Sequence, residues 1–234
     1  MSQPAYTVVG TPFSTFTRTI TLGLQYKGLK YNQLATPPQT ELALENHPFG
    51  YLPTLIIHEL ELEGKRVTQD IKLRESQAIV RYIDRVAPEP SLHMKGGGGG
   101  LMLEEKMWEF VSFVASFGFP SMEGGVVKPR VKALDEGKLT DAEVRQSIAS
   151  GVEQTRKFLA LAESLMVNSS DGYLFGDHPT WADFFLFPIM ADLRMVPEWR
   201  EVVNERLVRW MEKMDDLEAV KATQEGTLSV GARP

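Results

Sequence analysis

A helix set between two strands opens the chain, and that order leaves few topologies open to it. Tyr6-Thr7-Val8-Val9 is a β-branched run that reads as a strand. The amphipathic run from Phe16 to Tyr26 reads as a helix that stops near Lys27-Gly28. Leu29 to Ala35 reads as a second strand. A helix joining two strands of one sheet makes a crossover, so the strands lie parallel. Between the first strand and the helix, Gly10-Thr11-Pro12-Phe13-Ser14 makes a tight turn. Ser14 falls at or just before the first helical turn, where unpaired N–H groups and the positive end of the dipole favour an anion. A hydroxyl there is placed to donate to a thiolate. Serine is also an ordinary helix cap in that position, and this stretch alone leaves both readings open.

The pattern continues through Pro37 and Pro38 to a short, irregular helix over Glu41 to Asn46. Pro53 then opens a strand, a position where proline is tolerated because it owes the ladder no N–H. Ile56 to Leu62 and Val67 to Arg74 flank Glu63-Gly64-Lys65-Arg66 as a hairpin. A helix follows over Glu75 to Ile83, with Ala78, Ile79, Tyr82 and Ile83 at helical spacing. The order is βαβ then ββα, a unit spanning residues 1–87. Residues 88–100, with two prolines and five consecutive glycines from Gly96 to Gly100, read as a linker. No strand pattern appears beyond it. Leu101 to Phe117, ending near Gly118-Phe119-Pro120, is followed by helices over Val126–Leu134, Thr140–Leu165, Trp181–Arg194 and Val202–Met214. Thr140 and Glu143 have capping-box spacing. Residues 101–234 are therefore expected to be all-helical, with a loose tail after Glu225.

Composition narrows the chemistry. The 234 residues include no cysteine, which excludes disulfides, thiolate metal sites and a cysteine nucleophile. Any thiol must arrive with a ligand. The net charge of -6 argues against nucleic acid as a partner, since phosphate binding needs a basic surface. The four histidines, at 47, 58, 93 and 178, have no metal-ligand spacing. No basic segment followed by an apolar core opens the chain, and no run of about 18 apolar residues is evident, so a cytosolic protein away from membranes is expected. Asn168-Ser169-Ser170 reads as a polar loop.

Four stretches, in order, resemble the cytosolic glutathione transferases, especially the serine-type phi-like and fungal classes. They are Ser14-Thr15-Phe16-Thr17-Arg18, Asn46-His47-Pro48-Phe49-Gly50-Tyr51-Leu52-Pro53, Arg74-Glu75-Ser76-Gln77 and Gly176-Asp177-His178-Pro179-Thr180-Trp181-Ala182-Asp183. The resemblance covers nearly the whole chain. It implies an α/β thioredoxin-like N-terminal domain followed by an all-α helical domain, with glutathione as co-substrate. It also implies a cis bond before Pro53 that turns the backbone of Leu52 toward the cysteinyl part of glutathione. Ser76 and the helix amides would take the γ-glutamyl carboxylate, Glu75 the ammonium, and Ser14 the sulfur. Thr180 and Asp183 would cap a helix of the second domain.

The chain departs from that pattern at Gln39 and Thr40, where relatives carry a lysine or histidine for the glycine carboxylate, and at Tyr51, where plant relatives carry glutamine. Phe13, Phe113 and Phe117 are candidates for the electrophile pocket or for core, while Trp108 and Trp181 are assigned to core. Two functions follow. One is an enzyme that conjugates glutathione to an apolar electrophile or reduces a peroxide. The other is a non-catalytic ligand-binding or regulatory protein on the same fold. A homodimer, meeting through the helix from Leu101 and the Glu75–Ile83 helix, is expected.

Overall fold

The computed structural model describes residues 4–62, 65–67, 70–94, 104–166 and 172–233. The expected hairpin turn at 63–64, the glycine run at 96–100, the helix start at 101–103 and the polar loop at 168–170 lie outside the described residues.

The strand β1 (Tyr6–Val9) leads through the 10–14 turn into α1 (Thr15–Tyr26), then β2 (Tyr31–Leu34), α2 (Glu41–Asn46) and β3 (Thr54–Ile57). The expected long hairpin is split in two. Its outer part is β4 (Leu60–Leu62) against β5 (Lys65–Val67), so Lys65 and Arg66 are strand residues rather than turn. Its inner part is β3 against β6 (Ile71–Arg74), which runs directly into α3 (Ser76–Val86). The main sheet has the order β2-β1-β3-β6. β1 and β2 are parallel, as a crossover through α1 requires, and the other two pairs are antiparallel. Val8 and Val9 of β1 and all of β3 are buried, so the core lies on the two central strands.

Helix α1 departs from its amphipathic reading, because every residue from Thr17 to Leu24 is buried. Its threonines fit there by bonding back along the helix, Thr19 Oγ1 to the Thr15 carbonyl at 3.3 Å and Thr21 Oγ1 to the Arg18 carbonyl at 3.1 Å. Lys27, just past its end, donates from Nζ to the carbonyls of Ala87 (2.8 Å) and Pro90 (3.0 Å) and pairs with Asp84 at 3.1 Å, which ties α1 to the end of α3.

In the second half, α4 (Glu104–Phe113) does not end at Gly118-Phe119-Pro120. It continues through wide π-helical turns at Val114–Gly118 and Pro120–Val127 into α5 (Lys128–Glu136). Widened turns accommodate the ring and missing N–H of a proline that would break a regular helix. Close packing holds the irregular stretch against α6 (Asp141–Leu165). A Cβ on Gly151 would come within 2.2 Å of the Gly125 carbonyl oxygen, so only glycine lets these backbones touch. The resulting helix, Glu104–Glu136, has 33 residues and is apolar enough to cross a membrane by length and composition, a run the expected break at Pro120 had hidden. Half of its most apolar window is buried inside the protein.

The helical unit is completed by α7 (Trp181–Leu193), buried along its whole length, α8 (Trp199–Val202) and α9 (Glu205–Asp215). Asp183 organises it. One carboxylate oxygen accepts from the Leu174 and Trp210 N–H groups, both at 2.9 Å, and the other from the Thr180 N–H and O–H, both at 2.8 Å. The expected capping box at Thr180 is thus present.

Glu123 is also buried in this unit. Burial pushes its carboxyl well up, the nearby Asp192 charge pushes the same way, and Lys128 opposes them. A folded-state pKa above the unfolded one stabilises the fold fully below the unfolded value, and the contribution is lost as pH rises through the folded value. Thermal stability should therefore carry a component that declines from acid toward alkaline pH, and Glu123→Gln should remove it. Identical melting-temperature profiles for the two proteins would contradict this.

The chain ends in α10 (Glu218–Ala222) and a short 3₁₀ turn at Leu228–Val230. By contacts the two compact units are Met1–Ser91 with Leu217–Pro234, and Leu92–Asp216. The division expected from sequence had kept the last segment with the helical half. Instead α10 packs on α1. The segment after Glu225 is not loose either: Thr227 and Leu228 are each 2% exposed, and the Thr227 N–H and O–H both reach the Gln224 carbonyl.

Candidate functional site

The turn into α1 is pinned on both sides. Gly10 donates to the Leu34 carbonyl at 3.0 Å and Thr11 to the Thr36 carbonyl at 3.1 Å. Gly10 has φ +149, and a Cβ there would lie 2.3 Å from the Thr17 hydroxyl, so the turn requires glycine. Ser14 closes it, its N–H on the Thr11 carbonyl at 3.0 Å and its own carbonyl receiving the Arg18 N–H at 2.9 Å. It is the N-cap residue of α1 by backbone, with φ -76 and ψ 121, yet its side chain makes no cap hydrogen bond. The Ser14 hydroxyl is half-buried at a helix start and has no partner among the described residues.

The next candidate residues follow the turn after α2. The Leu52-Pro53 bond is cis, as the resemblance implies. The amide and carbonyl of Leu52 make no hydrogen bond to the described residues, which leaves both groups free to pair with a peptide. Tyr51 beside it is 62% exposed. Glu75 and Ser76 stand at the start of α3. Ser76 has neither its amide nor its hydroxyl engaged among the described residues, so both are available to an anion at that helix start. The Glu75 side chain is 82% exposed.

Backbone strain marks the same residues. Among the described residues, only Gln39 (φ 64) and Glu75 (φ 66) adopt positive φ without being glycine. Such conformations cost energy and persist where surrounding structure imposes them, commonly at ligand sites. Gln39 is held by its N–H on the Gly50 carbonyl (2.9 Å) and its Nε2 on the Phe49 carbonyl (2.8 Å). Thr40 is spent on local structure: it caps α2 by accepting the Ala43 N–H at 3.2 Å. Of the two residues standing where relatives carry a cation, only Gln39 retains a spare N–H.

Family models for the N-terminal and C-terminal domains of glutathione S-transferases match residues 8–91 and 145–213. The chain belongs to the glutathione S-transferase family. Its fold is shared with glutathione transferase F7 from Populus trichocarpa, at 25% identity over 94% of this chain and 98% of that one, with a TM-score of 0.68. It is shared also with glutathione S-transferase-I bound with lactoylglutathione, at 20% identity over 94% and 98% of the two chains and a TM-score of 0.69. Glutathione transferase URE2P6 from Phanerochaete chrysosporium, in complex with oxidized glutathione, is 18% identical over 95% and 96%, with a TM-score of 0.69. No curated protein matches in sequence.

Within this family frame the structure brings Ser14, Gln39, Tyr51, Leu52, Pro53, Glu75 and Ser76 into one compact unit. The three phenylalanines are divided. Phe13 stands half-buried in the Ser14 turn, while Phe113 and Phe117 belong to the other unit. Those two rings lie 6.0 Å apart, and Phe117 is 62% exposed, so it is not core. Trp181 is core at 0% exposure, whereas Trp108 is half-buried with its ring 6.2 Å from that of His93.

The sequence assigns no role to His47 beyond its place in the Asn46–Pro53 motif and its lack of metal spacing, but its buried ring lies with Nε2 3.7 Å from Glu75 Oε1. Each of the four histidines stands beside a carboxylate, and His47 is the one whose carboxylate is a site candidate. A signal was present in the sequence, since His47 directly precedes the Pro48-Phe49-Gly50 turn of the motif.

Proposed function

We propose that this family member takes glutathione as co-substrate and uses the Ser14 hydroxyl to hold its sulfur as the thiolate. The observation that carries the reading is the uncommitted Ser14 side chain: a residue placed as a cap, with no cap hydrogen bond, at a helix start that favours an anion. A free thiol with pKa near 8.5 is only a few per cent ionised at neutral pH. Lowering it by about two units takes ~2.7 kcal/mol, within reach of one charge-assisted hydrogen bond and the helix dipole. In conjugation the sulfur lone pair forms a bond to the electrophilic carbon, the leaving group departs with its electron pair, and the thiol proton passes to water. In peroxide reduction the thiolate takes one peroxide oxygen, the other leaves as an alcohol, and a second glutathione reduces the resulting sulfenic acid to the disulfide and water. The test is glutathione-dependent turnover of chlorodinitrobenzene and of cumene hydroperoxide; a protein that binds glutathione and turns over neither is not an enzyme of this type.

Leu52 supplies the backbone pairing, Gln39 and Tyr51 polar contacts, Ser76 the carboxylate contact and Glu75 the ammonium contact in this reading. A hydrogen bond to a charged group is worth ~1.5–3 kcal/mol, so Glu75→Ala should weaken glutathione binding roughly tenfold or more. Titration calorimetry checks it, and unchanged affinity would make Glu75 only an acid at a helix start. We propose also a two-fold homodimer, the commonest soluble assembly. Sedimentation at micromolar concentration showing only a 26.3 kDa species would reject it.

A further inference from the structure

We infer that His47 is a positioning residue for Glu75, holding that carboxylate where the ammonium group of a γ-glutamyl ligand meets it; the inference rests on the glutathione reading of the site. His47 is fixed by its own backbone. Its N–H closes α2 on the Ala43 carbonyl at 2.8 Å, and its carbonyl accepts the Gly50 N–H at 2.8 Å. The rings of Phe49 and Tyr51 pack on the imidazole at centroid distances of 6.1 and 5.9 Å.

The tautomer follows from the turn. Nδ1 accepts the Phe49 N–H at 3.1 Å, so the neutral ring carries its proton on Nε2. Nε2 is the atom 3.7 Å from Glu75 Oε1. That separation is longer than a direct hydrogen bond. The two partners differ in freedom, however: the His47 side chain is 5% exposed and that of Glu75 is 82% exposed. A fixed donor thus faces a carboxylate that swings from a backbone itself held at φ 66. A small rotation of Glu75 brings it onto Nε2–H and leaves its second oxygen for the ligand's ammonium. Fixing the carboxylate before the ligand arrives lowers the ordering cost of binding. The same imidazole holds the Phe49 amide, three residues ahead of the free Leu52 backbone groups, so one side chain supports both ends of the site.

A double-mutant cycle on the full chain tests this, read by calorimetric titration with glutathione. His47→Asn keeps a short acceptor for the Phe49 amide, in the manner of an Asx turn, and removes Nε2–H. It should weaken glutathione roughly threefold or more, and Glu75→Gln roughly tenfold. The double variant should bind no more weakly than Glu75→Gln, within about twofold, because His47 acts only through Glu75. In turnover His47→Asn should raise KM for glutathione with kcat little changed, and His47→Gln, whose amide can still donate, should recover part of the loss. Losses that multiply in the double variant overturn the inference, as does a His47→Asn protein that binds like wild type. Should both His47 variants fail to fold, imidazole NMR of the wild-type and Glu75→Gln proteins decides: an Nε2–H resonance identical in the two overturns it. Wild-type protein that binds no glutathione overturns the functional reading and this inference together, whereas wild-type binding with an additive cycle overturns this inference alone.

Discussion

Ser14→Ala should leave the protein folded and raise the pKa of the thiol of bound glutathione. At low pH, where the thiol is neutral in both proteins, glutathione affinity should barely change. At neutral pH conjugation should fall roughly tenfold or more, because a thiol returned toward pKa 8.5 is only a few per cent ionised. The loss in thiolate fraction is partly offset, since a more basic thiolate is a better nucleophile, and raising the pH should restore much of the rate. Ser14→Thr should keep part of the effect if its methyl leaves the hydroxyl in reach. A cap role would instead cost ~0.5–2 kcal/mol of stability with no change in thiol pKa, and the absence of any cap bond from the Ser14 side chain argues against that outcome. Thiolate absorbance of bound glutathione against pH, in both proteins, is the measurement. Coincident titration curves would remove Ser14 from the chemistry.

Asp183→Ala should be the most damaging single change to the helical unit. It strands the N–H groups of Leu174, Thr180 and Trp210, all on residues that are buried. Each orphaned buried donor costs ~1–3 kcal/mol, so a total loss of at least ~3 kcal/mol is expected. For a protein of this size that lowers the melting temperature by on the order of 10 °C or more. Asp183→Asn should lose less. It retains one carbonyl oxygen for two of the donors, and it removes a carboxylate whose pKa burial already pushes up. Equal melting temperatures for the alanine variant and wild type would show that this network contributes nothing net.

Local signals carried much of the fold. β-branched runs, proline punctuation and helical spacing placed β1, α1, β3, α3, α6 and α7 close to where they are. What they missed depends on residues distant in sequence. Pro120 reads as a stop because proline normally is one; it is not one here because glycines at 125 and 151 let α6 lie against widened turns. α1 reads as amphipathic because its threonines are polar, and it is buried all round because α3 and α10 both cover it. At the candidate site, residue types single out Ser14, Pro53, Glu75 and Ser76. Their states did not show: no local pattern says that Ser14 forgoes its cap, or that Gln39 and Glu75 adopt φ values usually left to glycine. The His47–Glu75 approach is not legible in the sequence, because the two lie 28 positions apart and Glu75 follows the strand that pairs with β3.

The covering of α1 by α10 sets the order in which a growing chain can complete itself. Residues up to Ser91 are made before Leu92–Asp216, yet the Leu217–Pro234 portion of the same unit is made after it. All of Leu92–Asp216 is synthesised in between. At ~5–20 residues per second, that interval is on the order of ten seconds. Throughout it the helix beginning beside Ser14 lacks one of its covers. Synthesis of α10 is therefore the step that lets the unit holding Ser14 close over α1.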